Sequence, residues 1–107
     1  MNWNTITSDS DLQKILELSK SQPVLIFKHS TRCSISSLEL NRFERNWNNF
    51  GVEPFYLDLL KYRQLSYTIA EIFEVEHQSP QLLLISENKC LEHASHNAIS
   101  SINLNNF

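Results

Sequence analysis

The stretch Val24–Ser36, VLIFKHSTRCSIS, decides the fold. Its first four residues, Val24, Leu25, Ile26 and Phe27, form an unbroken apolar run, entered from Pro23 and followed by the polar cluster Lys28–Arg32. A short continuous run of this kind suits a strand buried on both faces, as in a parallel sheet. Cys33 then falls where a helix should begin. The first-turn amides of a helix point at whatever sits on its N-terminus, and the dipole favours negative charge there. Lys28 and Arg32 lie close in sequence and add positive charge. Such surroundings favour the nucleophilic thiolate at neutral pH. Three residues on, where a C-x-x-C motif would carry its second thiol, stands Ser36.

Towards the N-terminus, Trp3–Ile6 reads as a short strand. Ser8 can cap a following helix, with Asp11 as a shortened capping-box partner. Leu12, Ile15 and Leu16 recur at helical spacing, and Pro23 ends that helix near Ser21 by disfavouring helical geometry in Gln22. Towards the C-terminus, Leu40, Phe43, Trp47 and Phe50 share one face of a second helix that stops at Gly51, the only glycine. Pro54–Leu59 reads as a second interior strand. Tyr62, Leu65, Ile69, Ile72 and Phe73 mark a third helix, Lys61–Phe73. A polar connection leads to Pro80. Gln81–Ser86 is another apolar strand, with a tight turn at Glu87–Lys89 and a hairpin partner at Cys90–Ala94. A weak last helix runs from about Asn97 to Leu104.

The order β-α-β-α-β-α-β-β-α, a βαβ half followed by a ββα half, predicts an α/β domain. Its mixed central sheet carries helices on both faces. This is the order of the thioredoxin fold. A chain of 107 residues is read as a single domain over 1–107. The formal net charge of −3, with nine basic residues in no long cluster, argues against a nucleic-acid binder. No apolar stretch approaches the roughly 18 residues of a membrane span. MNWNTITSDSD lacks the regions of a signal peptide, so a cytoplasmic location is expected. Two cysteines far apart in sequence do not make a disulfide framework in that compartment.

Several separate segments resemble the YtxJ-type monothiol bacilliredoxins, thioredoxin-like proteins of the bacillithiol system. They are Trp3, PVLIFKHS at 23–30, TRCSIS at 31–36, YLDLLKYRQLS at 56–66, HQSPQLLLI at 77–85 and HASHNAI at 93–99. The usual active-site form of the family is Thr-Cys-Pro-Ile-Ser. Here Arg32 precedes the cysteine and Ser34 stands in the proline's place. Proline there would stiffen the first helical turn without losing a bonded amide, whereas serine restores a donor and adds a hydroxyl.

The resemblance implies a thiol-disulfide oxidoreductase that removes bacillithiol from protein mixed disulfides. It has no bound cofactor or metal and uses bacillithiol or a related low-molecular-weight thiol as co-substrate. Its partners would be bacillithiolated client proteins. Cys33 would attack the thiol's sulfur and a second thiol molecule would release it, since each exchange step needs one thiolate. Ser36, one turn on, would donate to the Cys33 thiolate. Pro80 would be cis and would expose the backbone of Ser79 to an incoming substrate. Bacillithiol carries a malate with two carboxylates, which suits a basic rim of Arg32, Lys28 and Lys61, arginine binding a carboxylate through two parallel bonds. Of His93 and His96, His96 is the better placed to face the thiol-binding groove. Two competing readings are a thioredoxin-like binding module with little redox activity and a monothiol glutaredoxin-like protein, although no C-G-F-S motif is present.

Cys90 is not expected to act as a resolving thiol. The strand leaving Pro80 runs six residues at about 3.3 Å each, roughly 20 Å, before the turn that precedes Cys90. A disulfide needs Cα atoms within about 7 Å.

Overall fold

The computed structural model describes residues 2–47 and 51–102. The elements follow as β1 (Asn4–Thr5), α1 (Asp9–Ser19), β2 (Val24–His29), α2 (Ser34–Arg45) and β3 (Glu53–Asp58). After these come α3 (Arg63–Phe73), β4 (Gln81–Ser86), β5 (Lys89–Ser95) and a short 3-10 helix, His96–Ser101. The five strands form one sheet in the order β1-β3-β2-β4-β5. β1, β3 and β2 are parallel, while β4 runs antiparallel to β2 and to β5. This is the mixed sheet of the thioredoxin fold.

β2 lies at its centre, and all six of its residues are buried. Successive side chains of a strand point to opposite faces. Val24 and Ile26 therefore join α1 and α3 through Leu12, Ile15, Leu65 and Ile69. Leu25 and Phe27 join α2 and the 3-10 helix through Phe43 and Ile99. Trp3 closes the second cluster, its ring 5.9 Å from Phe27 and 6.1 Å from Phe43. Its indole N–H donates to Glu44 at 3.2 Å.

Ser8 caps α1, its Oγ accepting from the Asp11 amide at 3.3 Å, and the Asp11 carboxylate returns to the Thr7 amide at 2.9 Å. The β4–β5 turn places Glu87 and Asn88 at φ 51° and 64°, the left-handed pair of a two-residue hairpin loop. Ser19 pins that turn, its carbonyl accepting from the Glu87 amide at 2.7 Å and its hydroxyl oxygen from the Asn88 amide at 3.1 Å.

The strand bounds of β1, β3 and β5 differ from the sequence reading by a residue at either end, and three helices differ as well. α2 stops at Arg45, with Asn46 as its cap; the Asn46 amide still donates to the Arg42 carbonyl, which its side chain also reaches, and Trp47 packs against Phe43, 5.6 Å between rings. Phe50 lies outside the described residues. α3 begins at Arg63 because Asp58 holds the preceding turn, accepting from the Lys61 amide on Oδ1 and from the Tyr62 amide on its carbonyl. Ile72 is 38 % exposed, at the solvent edge of the helical face. The last helix is 3-10 and starts at His96; Leu104 lies outside the described residues.

Phe27→Ala should lower the unfolding free energy by about 3–5 kcal/mol in denaturant titration, as expected for a buried aromatic with no room to collapse. Leu91→Ala, at a side chain 53 % exposed on β5, should stay within about 0.5 kcal/mol of wild type.

Candidate active site

Cys33 sits at the junction that follows β2, as the residue capping α2. Its backbone is extended (φ −105°, ψ 119°), and its sulfur makes no capping hydrogen bond. The Cys33 amide donates to the Ser30 carbonyl at 3.1 Å, and its carbonyl accepts from the Ser37 amide at 3.1 Å, opening the helix. The thiol is half-buried. No acidic residue occupies the first turn of α2, and Arg42 and Arg45 lie in its last. The helix therefore presents its positive end to the sulfur with no competing carboxylate from its own first turn. Ser34 opens α2 and is exposed.

Ser36 does not serve the thiolate as expected. It is fully buried, and its Oγ accepts from the Ser30 amide at 3.0 Å and is hydrogen-bonded to His29 Nδ1 at 2.7 Å. The hydroxyl is thus committed to the strand end and not to Cys33. His29 is buried in turn, beside the rings of Phe27 and Tyr56. Burial pushes its pKa down, opposed by Asp58 and Glu44. Ser30 links these groups, because its amide is held by Ser36 while its carbonyl receives the Cys33 amide.

Lys28 requires a correction of place. It is 0 % exposed, on the face of the sheet opposite to α2, and so forms no part of a solvent rim. Its Nζ donates to the Ser66 carbonyl at 3.1 Å and is hydrogen-bonded to His77 Nδ1 at 3.3 Å. Ser66 Oγ also reaches His77 Nδ1, at 3.0 Å. No carboxylate pairs with this ammonium among the described residues, and desolvation lowers its pKa to about 8. Burial, then the charge of Lys28, pushes the His77 pKa down.

The exposed cations gather elsewhere. Arg32, Lys61 and Arg63 line a cavity of about 350 Å³ with Thr31, Leu60 and a single carboxylate, Asp58. Arg63 also borders a second cavity of about 210 Å³, with Leu59, Ser66, Tyr67 and His77. The first adjoins the residues leading into Cys33, and the second adjoins the loop leading into Pro80. The Ser79–Pro80 peptide is cis. Pro80 immediately precedes Gln81, which pairs with Lys28, so it lies at the end of the sheet where β2 runs out towards Cys33.

His96 returns to that same end. Its amide donates to the Pro80 carbonyl at 3.2 Å, and its φ of 54° turns the chain out of β5. The ring is exposed; so is His93, opposite Leu83. Cys90 pairs with Ile85, which pairs with Val24, and therefore lies at the opposite end of the sheet from Cys33. Its thiol donates to the Glu92 carbonyl at 3.4 Å, and burial pushes its pKa up. Sequence reasoning missed His29, Arg63, Ser66 and His77. The nearest signal was Lys28, directly after a run buried on both faces, but that adjacency does not say whether the side chain turns inward.

A family model described as monothiol bacilliredoxin BrxC matches residues 4–104. Among solved structures, a protein assigned as an oxidoreductase with a thioredoxin fold is 26 % identical with a TM-score of 0.79, over 91 % of this chain and 86 % of its own. The thioredoxin of Malassezia sympodialis is 13 % identical with a TM-score of 0.75, over 94 % of this chain and 84 % of its own. That of Trypanosoma brucei brucei is 14 % identical with a TM-score of 0.72, over 94 % and 83 %. At these last two identities the likeness is one of fold alone. None of the described helices is long and apolar enough to cross a membrane.

The buried lysine sets a pH dependence of stability. Its pKa falls from 10.5 in the unfolded chain to about 8 in the folded one. Across that window the unfolded chain holds a proton that the folded chain has released, so stability rises with pH, by an amount of order 3 kcal/mol. Lys28→Met should raise the unfolding free energy at pH 7 by about 1–3 kcal/mol and flatten the rise between pH 8 and 10.5. Denaturant titration along a pH series measures both.

Proposed function

The chain belongs to the monothiol bacilliredoxin family, and on that premise we propose that it removes bacillithiol, or a closely related low-molecular-weight thiol, from mixed disulfides on client proteins. The observation that carries this reading is one half-buried thiol at the N-terminus of α2, with a serine in the resolving position and a cationic cavity alongside.

The Cys33 thiolate attacks the small thiol's sulfur in the client's mixed disulfide. A new disulfide forms between Cys33 and that sulfur, the old bond breaks, and the client leaves as a thiolate. Which sulfur is attacked follows access and leaving-group pKa. A cavity walled by Arg32, Lys61 and Arg63 favours a small thiol bearing carboxylates, which would seat its sulfur, and not the client's, over Cys33. A second molecule of the thiol, as thiolate, then attacks the transferred sulfur. Cys33 is freed, the symmetric small-molecule disulfide departs, and the incoming thiol's proton ends on the client. One disulfide is consumed and one is made.

The Ser36–Ser30 bond and the Ser30–Cys33 bond support the same cycle by holding the Cys33 turn on the end of β2. Ser79–Pro80 and His96 lie at the same end of the sheet as Cys33, and Ser34 is exposed at the start of α2; in this reading they would meet the incoming thiol or client. The reading requires a reducing compartment, such as the cytoplasm, that keeps Cys33 as a thiol between turnovers.

The test mixes a bacillithiolated client with reduced protein and weighs both products. The wild type should unload the client and gain the thiol on Cys33. Cys33→Ser should abolish transfer, and Cys90→Ser should leave it within about twofold, since Cys90 is remote and its thiol is held protonated by burial. Arg32→Ala should slow capture by about three- to tenfold at low ionic strength and by less as salt screens the charge. A client that keeps its modification, or a Cys33→Ser protein as active as wild type, favours the thioredoxin-like binding module instead.

A further inference from the structure

The loop from Glu74 to Pro80 carries the backbone that meets the substrate in the reading above. Its ends are fixed, the Val75 amide donating to the Ala70 carbonyl and the Pro80 carbonyl accepting from the His96 amide, and between them His77 is the tie to β2 and α3. Its Nδ1 is bonded to Lys28 Nζ from β2 at 3.3 Å and to Ser66 Oγ from α3 at 3.0 Å, and Lys28 Nζ also donates to the Ser66 carbonyl. Three segments distant in sequence thus meet at one imidazole. Gln81 adds a further tie, its side-chain amide donating to the Glu76 carbonyl at 2.9 Å, while its Oε1 is buried without a partner.

We propose that His77 is a positioning residue for the thiol-exchange reaction: as a neutral ring it clamps the Ser79–Pro80 backbone to β2 and α3, and protonation of that ring opens the clamp. The proposal rests on the oxidoreductase reading for its functional consequence, and on the hydrogen bonds alone for the clamp.

The direction follows from the groups that face the ring. Lys28 on β2 and Arg63 on α3 are cations, Tyr67 sets its ring edge-on at 5.3 Å, and Ser66 contributes a hydroxyl. From its own loop the neighbour is Glu76, whose carbonyl is held by Gln81. The groups bonded to Nδ1 are thus a cation and a hydroxyl, with a second cation on the same cavity wall. A proton on Nδ1 would replace an acceptor by a donor facing an ammonium, which breaks the bond to Lys28. Deprotonation of Lys28 does no such harm, because a neutral amine keeps two N–H donors for the same two acceptors. The clamp is therefore lost on the acid side only.

Two substitutions separate this from a packing role. The Oδ1 of asparagine stands as many bonds from the backbone as Nδ1, so His77→Asn keeps the acceptor without the titration. His77→Leu keeps bulk and removes the acceptor. With a bacillithiolated peptide as substrate, His77→Leu should raise KM at pH 7 by about three- to tenfold, the loss of one to two hydrogen bonds, and leave kcat unchanged. Alkylation of Cys33 by iodoacetamide should not change. His77→Asn should restore KM at pH 7 and abolish the rise in KM expected of the wild type on acidification below the ordinary histidine range. An unchanged KM in His77→Leu, or an Asn variant as impaired as Leu, would overturn the proposal. If His77→Leu does not fold, the wild type decides: a KM flat from pH 5 to 7.5 overturns it.

Amide exchange at residues 77–79, corrected for intrinsic rates, tests the clamp without turnover. It should quicken in wild type at pH 5 and in His77→Leu at pH 7, but not in His77→Asn. Equal rates throughout sink the clamp even if the thiol-exchange reading stands. Quickened exchange in a protein that fails to unload its client leaves the clamp intact and removes that reading.

Discussion

Everything at the active end of this fold depends on how β2 runs out. A strand buried on both faces is easily filled with Val24, Leu25, Ile26 and Phe27, but its last two residues are Lys28 and His29, and both are buried too. Strand alternation sends them to opposite faces. Each polar group must then find partners in its own layer, since an unpaired polar group in the interior costs roughly 1–3 kcal/mol and a charge more. Lys28 finds Ser66 and His77 in the α3 layer, and His29 finds Ser36 in the α2 layer. Both requirements fasten a loop of the site: one the Cys33 turn, the other the segment before Pro80. The geometry of the reactive end is a by-product of satisfying two buried side chains.

Charge is sorted by the same division. Among the described residues Lys28 is the one cation drawn into the interior of the sheet, and its pKa falls towards the physiological range. Arg32, Lys61 and Arg63 remain in water around a shared cavity with Asp58, where their charges can act on an incoming anion without a desolvation penalty beforehand. The chain as a whole is acidic. The cation-lined cavity therefore stands out against its own background, and an anion approaching the protein would be drawn towards it.

The fold is legible in the sequence wherever burial is two-sided. Apolar runs at 24–27 and 82–85 can only be interior strands, and the helical spacing of Leu12 and Ile15, and of Leu65, Ile69 and Phe73, gives the flanking layers. Periodicity is a poor guide to where a helix ends: Trp47 keeps the α2 rhythm and packs beside Phe43, although the helix has already ended at Arg45. Cys33 is legible because its chemistry is tied to a strand–helix junction. The partners of Lys28 and His29 are not, because Ser36, Ser66 and His77 are brought to them by tertiary packing across 7 to 49 positions. A lysine next to an apolar run looks the same in sequence whether it snorkels outward or turns inward.

The full burial of Ser36 has a consequence for how such a site can evolve. In a dithiol protein this position holds the resolving thiol, so a single codon change would seem to interconvert the two chemistries. Sulfur is a weak acceptor, however, and larger than oxygen. A cysteine here would gain a second redox group and at the same time loosen the Ser30 amide and the His29 ring from their shared anchor. The one-thiol and two-thiol designs are therefore separated by a stability barrier as well as a chemical one. Crossing it requires a compensating change at His29, so that the two positions form a pair that must be altered together.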